Sequence, residues 1–410
     1  MAGSLELGPI SRALMRNKLG VVLIALQMAF TMTVIVNAVD IIHDRTLKVN
    51  SPTGMDEANI FSIRSFGFDS SINAQVLIDE DLDMMRQLPG VADVSRVNAV
   101  PASGSGSSSG YAIEPGRREL TVSAAQYSVD EHALNTMGLT LLAGRNFTAE
   151  DVRHRDASEP RIADQIIVSL ALAEEMFPGE ALEAVGRTIY SADDKPLRII
   201  GIVEKLQSPW PNATDWIVER SLMIPDVVIE TNSLYLVRTL PGQRDALMTE
   251  VEERLAAAGH DRILMNNKSV DQMRTELYRL DTAMARVLYI VIATLIFITA
   301  LGIIGLAVFS INKRRKQIGT RRALGATRGG ILRYLLLENF LISAAGVLLG
   351  AMLTIGFNIF LVRSFDIPRL DWYYVPLAML VLLLLGQLAA MGPALTAVRV
   401  PPARAITSSH

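Results

Sequence analysis

Four long apolar runs, at 19–42, 287–312, 335–362 and 373–398, set the pattern of the chain. The second and fourth contain no charged residue, and the third carries only Glu338, near its start. A helix of about 20 apolar residues crosses a bilayer core, so each run predicts a membrane span. From 43 to 283 the pattern is different, with short apolar stretches broken by Gly, Pro and polar residues. Residues 58–68 (ANIFSIRSFGF) and 91–100 (VADVSRVNAV) alternate with a period of two and predict strands. A helical pattern at 79–87 lies between them and stops at Pro89-Gly90. This β-α-β order returns from residue 222, with strands at LMIPDVVI and SLYLVRTL, a helix over 245–258 and a strand over 262–265.

Between these two halves, 111–221 predicts a mainly β insertion. Its strands are expected at 120–122, 166–168, 188–189 and 197–203, with a short helix over 169–176. The low-complexity stretch 101–110 (PASGSGSSSG) reads as a flexible linker or as a hairpin tip. Trp210 stands between two prolines in 208–212 and either meets a partner or packs back on its own domain. Residues 269–286 are polar and helical, and are expected to run into the second span without a break. The expected fold class is therefore an α-helical membrane protein with four transmembrane helices and a large extracytoplasmic α/β domain.

Charge orients this arrangement. Segment 41–283 holds 37 acidic and 23 basic residues, and the rest of the chain holds 5 acidic and 16 basic. Lys and Arg gather before the first span (Arg12, Arg16, Lys18), over 313–333, and after the fourth span (Arg399, Arg404). Such residues mark the cytoplasmic side of span ends. Both termini and the 313–334 loop are thus expected inside, and 43–283 and the short 363–372 loop outside. Arg363 and Arg369 in that short loop run mildly against the rule. Residues 1–18 read as a cytoplasmic amphipathic segment or an unstructured tail. The first run is also compatible with a signal peptide cut near Val36-Asn37-Ala38, but its length favours an uncleaved anchor.

Enzyme chemistry finds little support. The chain has no cysteine, which excludes disulfides and thiolate metal sites. His43, His132, His154, His260 and His410 are scattered, with no HExxH motif. Only His132 and His154 suggest a metal site brought together in space, and their spacing supplies no ligand set. No GxSxG elbow and no GxxxxGK[ST] phosphate loop occurs in the chain. No catalytic, cofactor or metal residue is assigned. Nucleic acid is not expected as a partner, because the one basic cluster adjoins the membrane spans. Gln27, Asn37, Asn358 and Gln387 within the spans read as helix–helix hydrogen bonds in preference to a transport path. Gly302, Gly305, Gly346, Gly350 and Gly356 allow close helix packing, and Gly346–Gly350 is a GxxxG match.

The stretch 313–338 (KRRKQIGTRRALGATRGGILRYLLLE) carries more than a topology signal. Six of its first ten residues are basic, and small residues then alternate with apolar ones. A helix there presents a small, partly apolar knob with basic flanks, suited to a groove on a soluble partner.

The run 317–328 (QIGTRRALGATR) closely resembles the EIGxRRAxGA signature of MacB-type ABC transporter permeases. That is the four-span mechanotransmission family (type VII ABC superfamily) that also includes FtsX and the Lol lipoprotein permeases. The ending at 393–406 is similar to the family's PAxxAxxxxPxxAI pattern. GLTLLAGRNFTAED (138–151), QIIVSLALAEEMFP (165–178), AVGRTI (184–189) and LRIIGIVE (197–204) look like its periplasmic core.

This resemblance implies a bacterial inner-membrane, multi-pass permease with its large domain in the periplasm. It implies porter-like α/β parts at 56–110 and 222–267, a sabre-like β insertion at 111–221, and a stalk helix at 268–286. Gln317, Ile318, Gly319, Arg321, Arg322, Ala323, Leu324, Gly325 and Ala326 would form the coupling segment that seats on an ABC ATPase, two copies per complex. ATP and Mg would be bound by that ATPase and not by this chain. A second permease copy or a paralogous permease, membrane lipid, and a periplasmic adaptor with an outer-membrane channel are the further partners implied. The substrate class implied is a peptide, lipoprotein, siderophore-like or drug-like molecule. The rival reading is an FtsX-like regulator acting on a periplasmic hydrolase or sensor. Gln317 departs from the family's Glu, which implies either a homodimer lacking that charge or a heterodimer whose other member keeps it. The 410 residues also show no ATPase sequence.

Overall fold

The computed structural model describes residues 18–68, 73–117, 121–156, 158–159, 163–211, 217–259, 261–365 and 369–399. The expected N-terminal segment, most of the C-terminal motif, Leu120, Asn212, His260 and His410 lie outside the described residues. The chain divides into two compact units, Met1–Leu47 with Asp281–His410, and Lys48–Leu280. Helix α1 (Lys18–Asn50) opens the first unit. Polar side chains along it turn back onto its own carbonyls: Thr33 to Ala29, Asn37 to Thr33, and Thr46 to Ile42. That satisfies them without a partner helix.

The second unit is built on two sheets. Strand β1 (Ile60–Gly67), helix α2 (Ala74–Arg86) and strand β2 (Val91–Val97) form its first half. Asn73 caps α2 by accepting from Gln75 N at 3.0 Å, and Leu77, Ile78, Leu82 and Met85 give the helix its buried face. The insertion follows with β3 (Ser107–Ala112), β4 (Val122–Ser128), α3 (Ala133–Met137), β5 (Leu141–Gly144), β6 (Arg153–Asp156) and β7 (Gln165–Ser169). It continues through α4 (Leu170–Met176), β8 (Thr188–Ser191), β9 (Pro196–Val203), β10 (Ser221–Ile224) and β11 (Asp226–Ile229). The second half is β12 (Asn232–Thr239), α5 (Arg244–Ala257) and β13 (Arg262–Ser269).

The two halves interleave in one sheet of order β13-β1-β12-β2, with every neighbouring pair antiparallel. This is the split β-α-β arrangement of ferredoxin-like domains. The pattern of the chain predicts two β-α-β halves, but only pairing reveals that β12 lies between β1 and β2. Helices α2 and α5 cover one face over Phe61, Ile63, Tyr235 and Val237. Ile60, Leu234 and Leu236 on the other face join a core with Tyr127, Met137 and Met223 of the insertion.

In the insertion, β9-β7-β10-β4-β3-β8 closes on itself through an additional β8–β9 pairing, and β5 adds to β9. Closing a ring of strands removes exposed edges. These pairings correct the sequence boundaries in two places. Ser107–Gly110 belongs to β3, paired with β4, and is neither a free linker nor a hairpin tip. The stretch LMIPDVVI is not one strand of the second half. Pro225 divides it, β10 joins the ring beside β4 and β7, and β11 pairs with β6. A proline has no N–H for a ladder, so the strand breaks there.

Helix α6 (Val270–Leu277) starts at a capping box formed by Ser269 and Gln272. It stops at Tyr278, and α7 (Arg279–Lys313) begins at the next residue. The expected unbroken helix is thus interrupted at this fully buried tyrosine, whose φ of −92° and ψ of 10° depart from helical values.

The remaining elements of the first unit are α8 (Arg315–Ala323), α9 (Arg328–Phe365) and α10 (Tyr374–Arg399). Helices α1, α7, α9 and α10 are each long and apolar enough to cross a membrane. Gln27 on α1 donates to Ile298 O on α7 at 3.0 Å, and Thr31 meets Thr299 at 2.8 Å. Asn358 accepts from Leu370 N, and the Gln387 amide lies between Leu336 O and Phe340 N. Asn37, which serves its own helix, and Asn358, whose partner Leu370 lies in the loop before α10, depart from the expected interhelical bonds.

The Gly346–Gly350 match lies directly against α1. A Cβ at Gly346 would sit 2.9 Å from the Met28 Cβ, and one at Gly350 would sit 2.9 Å from the Met32 Cβ. Gly350→Leu is therefore expected to lower stability by about 1–3 kcal/mol through overpacking. Gly305→Leu, at a position with nothing within 4 Å, is expected to be near neutral. Thermal unfolding of the purified protein in mild detergent checks the contrast.

Candidate functional site

The segment 313–327 forms a helix-turn-helix joint between α7 and α9. Arg314 ends α7 with φ −108° and ψ 13°, its N–H shared between Ser310 O and Ile311 O. The nine residues of α8 follow and stop at Leu324. Gly325 then takes φ +96°, a left-handed conformation that costs glycine nothing. Ala326 N donates to Arg321 O at 3.0 Å, and Gly325 N donates to Arg322 O at 3.1 Å. These two bonds make a Schellman cap, which satisfies carbonyls that the end of α8 would otherwise leave open. Thr327 starts α9 by accepting from Gly330 N at 3.2 Å. The LGAT sequence is thus a stop signal followed at once by a start signal.

This joint divides the residues selected from the sequence. Gln317, Arg321, Ala323, Leu324, Gly325 and Ala326 are exposed, with Leu324 83% exposed at the turn. Ile318 is half-buried and Gly319 is buried. Arg322 turns inward, its Nη1 donating to Val398 O in the last turn of α10 at 3.0 Å. A guanidinium on an open C-terminal carbonyl is favoured by the helix dipole. Arg321 lies over the Tyr334 ring, 5.2 Å from its centroid.

Sequence reading missed the ion pair that holds the joint to α9. Arg314 Nη1 donates to both carboxylate oxygens of Glu338, at 3.0 and 2.9 Å, with side-chain exposures of 18% and 10%. The available signal was Glu338 itself, the one charge in an otherwise uncharged run. The first end of α8 is therefore tied to α9 through Arg314, and its last turn is tied to α10 through Arg322. Glu338→Ala is expected to cost about 1–3 kcal/mol, less than a fully buried pair because both groups keep some contact with solvent. Arg314→Leu with Glu338→Leu is expected to cost less than Glu338→Ala alone, which a double-mutant cycle on the melting temperature measures.

The other sequence candidates sit elsewhere. His132 Nδ1 is 2.9 Å from Asp93 Oδ1, and His154 Nδ1 is 3.1 Å from Gln75 Oε1. Among the described residues no group of three or more His, Cys, Asp or Glu is placed to hold a metal ion. Trp210 is half-buried.

Comparison with known proteins gives two family matches. The MacB-like periplasmic core domain matches residues 19–258, and the FtsX-like permease C-terminal domain matches residues 289–402. The macrolide export ATP-binding/permease protein MacB of Neisseria meningitidis (strain DSM 15465 / Z2491) is 25% identical over 74% of this chain and 44% of its own length. The protein of the same name from Escherichia coli (strain K12) is 24% identical over 96% of this chain and 59% of its own length. The chain thus spans about half the length of these curated relatives. The crystal structure of the periplasmic region of MacB from Actinobacillus actinomycetemcomitans aligns with 55% of this chain and 96% of its own, at 15% identity and a TM-score of 0.32. With one of these models covering more than half of its residues and the other taking in the helices around the 313–327 joint, the chain belongs to the MacB/FtsX-type family of ABC transporter permeases.

Proposed function

We propose that this chain is a permease subunit through which an ABC ATPase drives conformational change in an extracytoplasmic domain, in the service of export. One observation carries the reading. The joint 313–327 displays an exposed Leu324 on a left-handed glycine turn, between two helices long enough to span a membrane. A projecting apolar side chain ringed by small residues and arginines fits a groove on a soluble partner. The basic residues around it favour a cytoplasmic location, which puts Lys48–Leu280 on the periplasmic side of an inner membrane. Gln317, Ala323, Leu324, Gly325 and Ala326 make the contact, and Arg322 and Arg314 hold α8 to its neighbours. ATP and Mg are bound by the ATPase, two copies of which act on a pair of permeases. A peptide, lipoprotein, siderophore-like or drug-like molecule is the substrate class.

Affinity purification of the tagged chain in mild detergent, with mass spectrometry of the eluate, tests the reading. A P-loop ATPase supplied in trans is expected to co-elute. Its absence from a preparation that stays monodisperse would overturn the proposal. A co-eluting adaptor or outer-membrane channel supports export, whereas a cell-wall hydrolase or sensor kinase replaces export with regulation.

A further inference from the structure

A half-open groove of about 260 Å³ lies beside the coupling joint, between the last turns of α7, α8 and the last turns of α10. Val308, Ile311, Ile318, Pro393 and Ala397 supply its apolar wall, and Asn312, Arg315 and Arg322 its polar rim. Among the described residues no Asp or Glu lines it. Arg322 is already engaged with Val398 O, but Arg315 lines the groove with no hydrogen bond or ion pair among the described residues.

Depth separates this groove from the exposed tip at Leu324. Val308, Ile311, Asn312, Pro393, Thr396 and Ala397 all belong to helices of membrane-spanning length, within six residues of their ends. The apolar wall thus begins where hydrocarbon meets headgroup, and the guanidiniums stand at headgroup level. A soluble ATPase reaches the tip, while a lipid reaches the groove. Such a site suits one ligand class, an amphiphile with an anionic head and an acyl tail.

We propose that the groove binds an anionic phospholipid of the cytoplasmic leaflet, its phosphate on Arg315 and Asn312 and the start of its chain along Val308, Ile311 and Ala397. The proposal takes its leaflet from the orientation above. Its test reads lipid on the permease alone, so it fails independently of the ATPase contact. A lipid held there joins α7 to α10 beneath α8 and stiffens the joint on which the ATPase acts.

The full chain, purified in mild detergent, is exchanged into mixed micelles with phosphatidylglycerol or phosphatidylcholine and read by native mass spectrometry. Phosphatidylglycerol is expected to be retained preferentially. Arg315→Gln is expected to reduce its retention about fivefold, as removing one basic group near an anionic headgroup does. Ala397→Leu fills the apolar wall at constant charge and is expected to reduce retention as well. Arg328→Gln, an exposed arginine outside the groove, is expected to leave it unchanged. Monodisperse elution of each variant shows that it is folded. Equal retention of the two lipids, or of phosphatidylglycerol by wild type and Arg315→Gln, would overturn the proposal. Displacement of the lipid by inorganic phosphate alone would reassign the site to a free anion. A photo-crosslinker at Ala397 that captures a second copy or the ATPase in membranes, and no lipid, would also overturn it.

Discussion

Leu324→Asp is expected to abolish ATP-driven function while the protein still inserts and folds. Leu324 is 83% exposed at the end of α8, so the substitution removes no packing within the chain. The cap that ends α8 uses the backbone of Arg321, Arg322, Gly325 and Ala326 and not the Leu324 side chain, so the added carboxylate costs only its repulsion by the helix C-terminus, about 0.3–1 kcal/mol. At an interface the effect is different. A projecting apolar anchor truncated or charged within its groove costs about 2 kcal/mol or more, an affinity loss of about thirtyfold. The carboxylate also enters the groove without a partner. Gly325→Trp acts at the same place by another route, because φ +96° disfavours any residue with a Cβ and the indole adds bulk at the contact. ATPase co-elution and ATPase-dependent activity, with the yield of intact membrane-inserted protein as the control, measure both variants. Retained function in Leu324→Asp would remove the tip from the coupling contact.

Asp81→Ala is expected to unfold the ferredoxin-like part of the second unit. Asp81 on α2 accepts from Arg262 Nη1 at 2.9 and 2.7 Å and from the Tyr235 hydroxyl at 2.7 Å. The side chains of Asp81 and Arg262 are 3% and 2% exposed. Burial, with the Asp81 carboxylate beside it, pushes the Tyr235 phenol above its ordinary pKa and keeps it a donor. Removing the carboxylate leaves a buried guanidinium without its counter-charge, at a cost of about 3–5 kcal/mol. That is a large share of the ~5–15 kcal/mol that holds a domain together. Among the described residues, Arg262 Nε and Nη2 have no hydrogen-bond partner. Asp81→Leu with Arg262→Met removes both buried charges and is expected to recover part of the loss, the remainder being the Tyr235 hydroxyl left without its acceptor. Urea denaturation of the full chain in detergent, followed by proteolytic susceptibility, separates these outcomes. A loss below about 1 kcal/mol in Asp81→Ala would mean that water reaches the pair.

Features that depend on local sequence are legible in the order of residues alone. A run such as 287–312 is apolar at every turn, so its length by itself marks a span. The caps at Asn73 and Ser269 and the stop at Gly325 each follow from one or two side chains acting on nearby backbone. The 313–327 joint is legible for the same reason, as a basic, small-residue stretch between two apolar runs. The ring of strands is not legible. Ser107–Gly110 has little intrinsic preference for a strand, and its backbone groups pair because β4 lies alongside.

Hydrophobic period and charge placement thus determined the four long helices, the extracytoplasmic domain between the first two, and the exposed knob of the joint. These signals act through solvent and backbone geometry and need no distant partner. Tertiary structure alone decided the rest. It put β12 between β1 and β2, assigned β10 to the insertion, and laid Gly346 and Gly350 against α1. It also turned Arg322 inward onto Val398 O and set Arg314 on Glu338 24 positions along the chain. Each of these depends on what packing brings within a few ångströms, and neither propensity nor spacing encodes that neighbour.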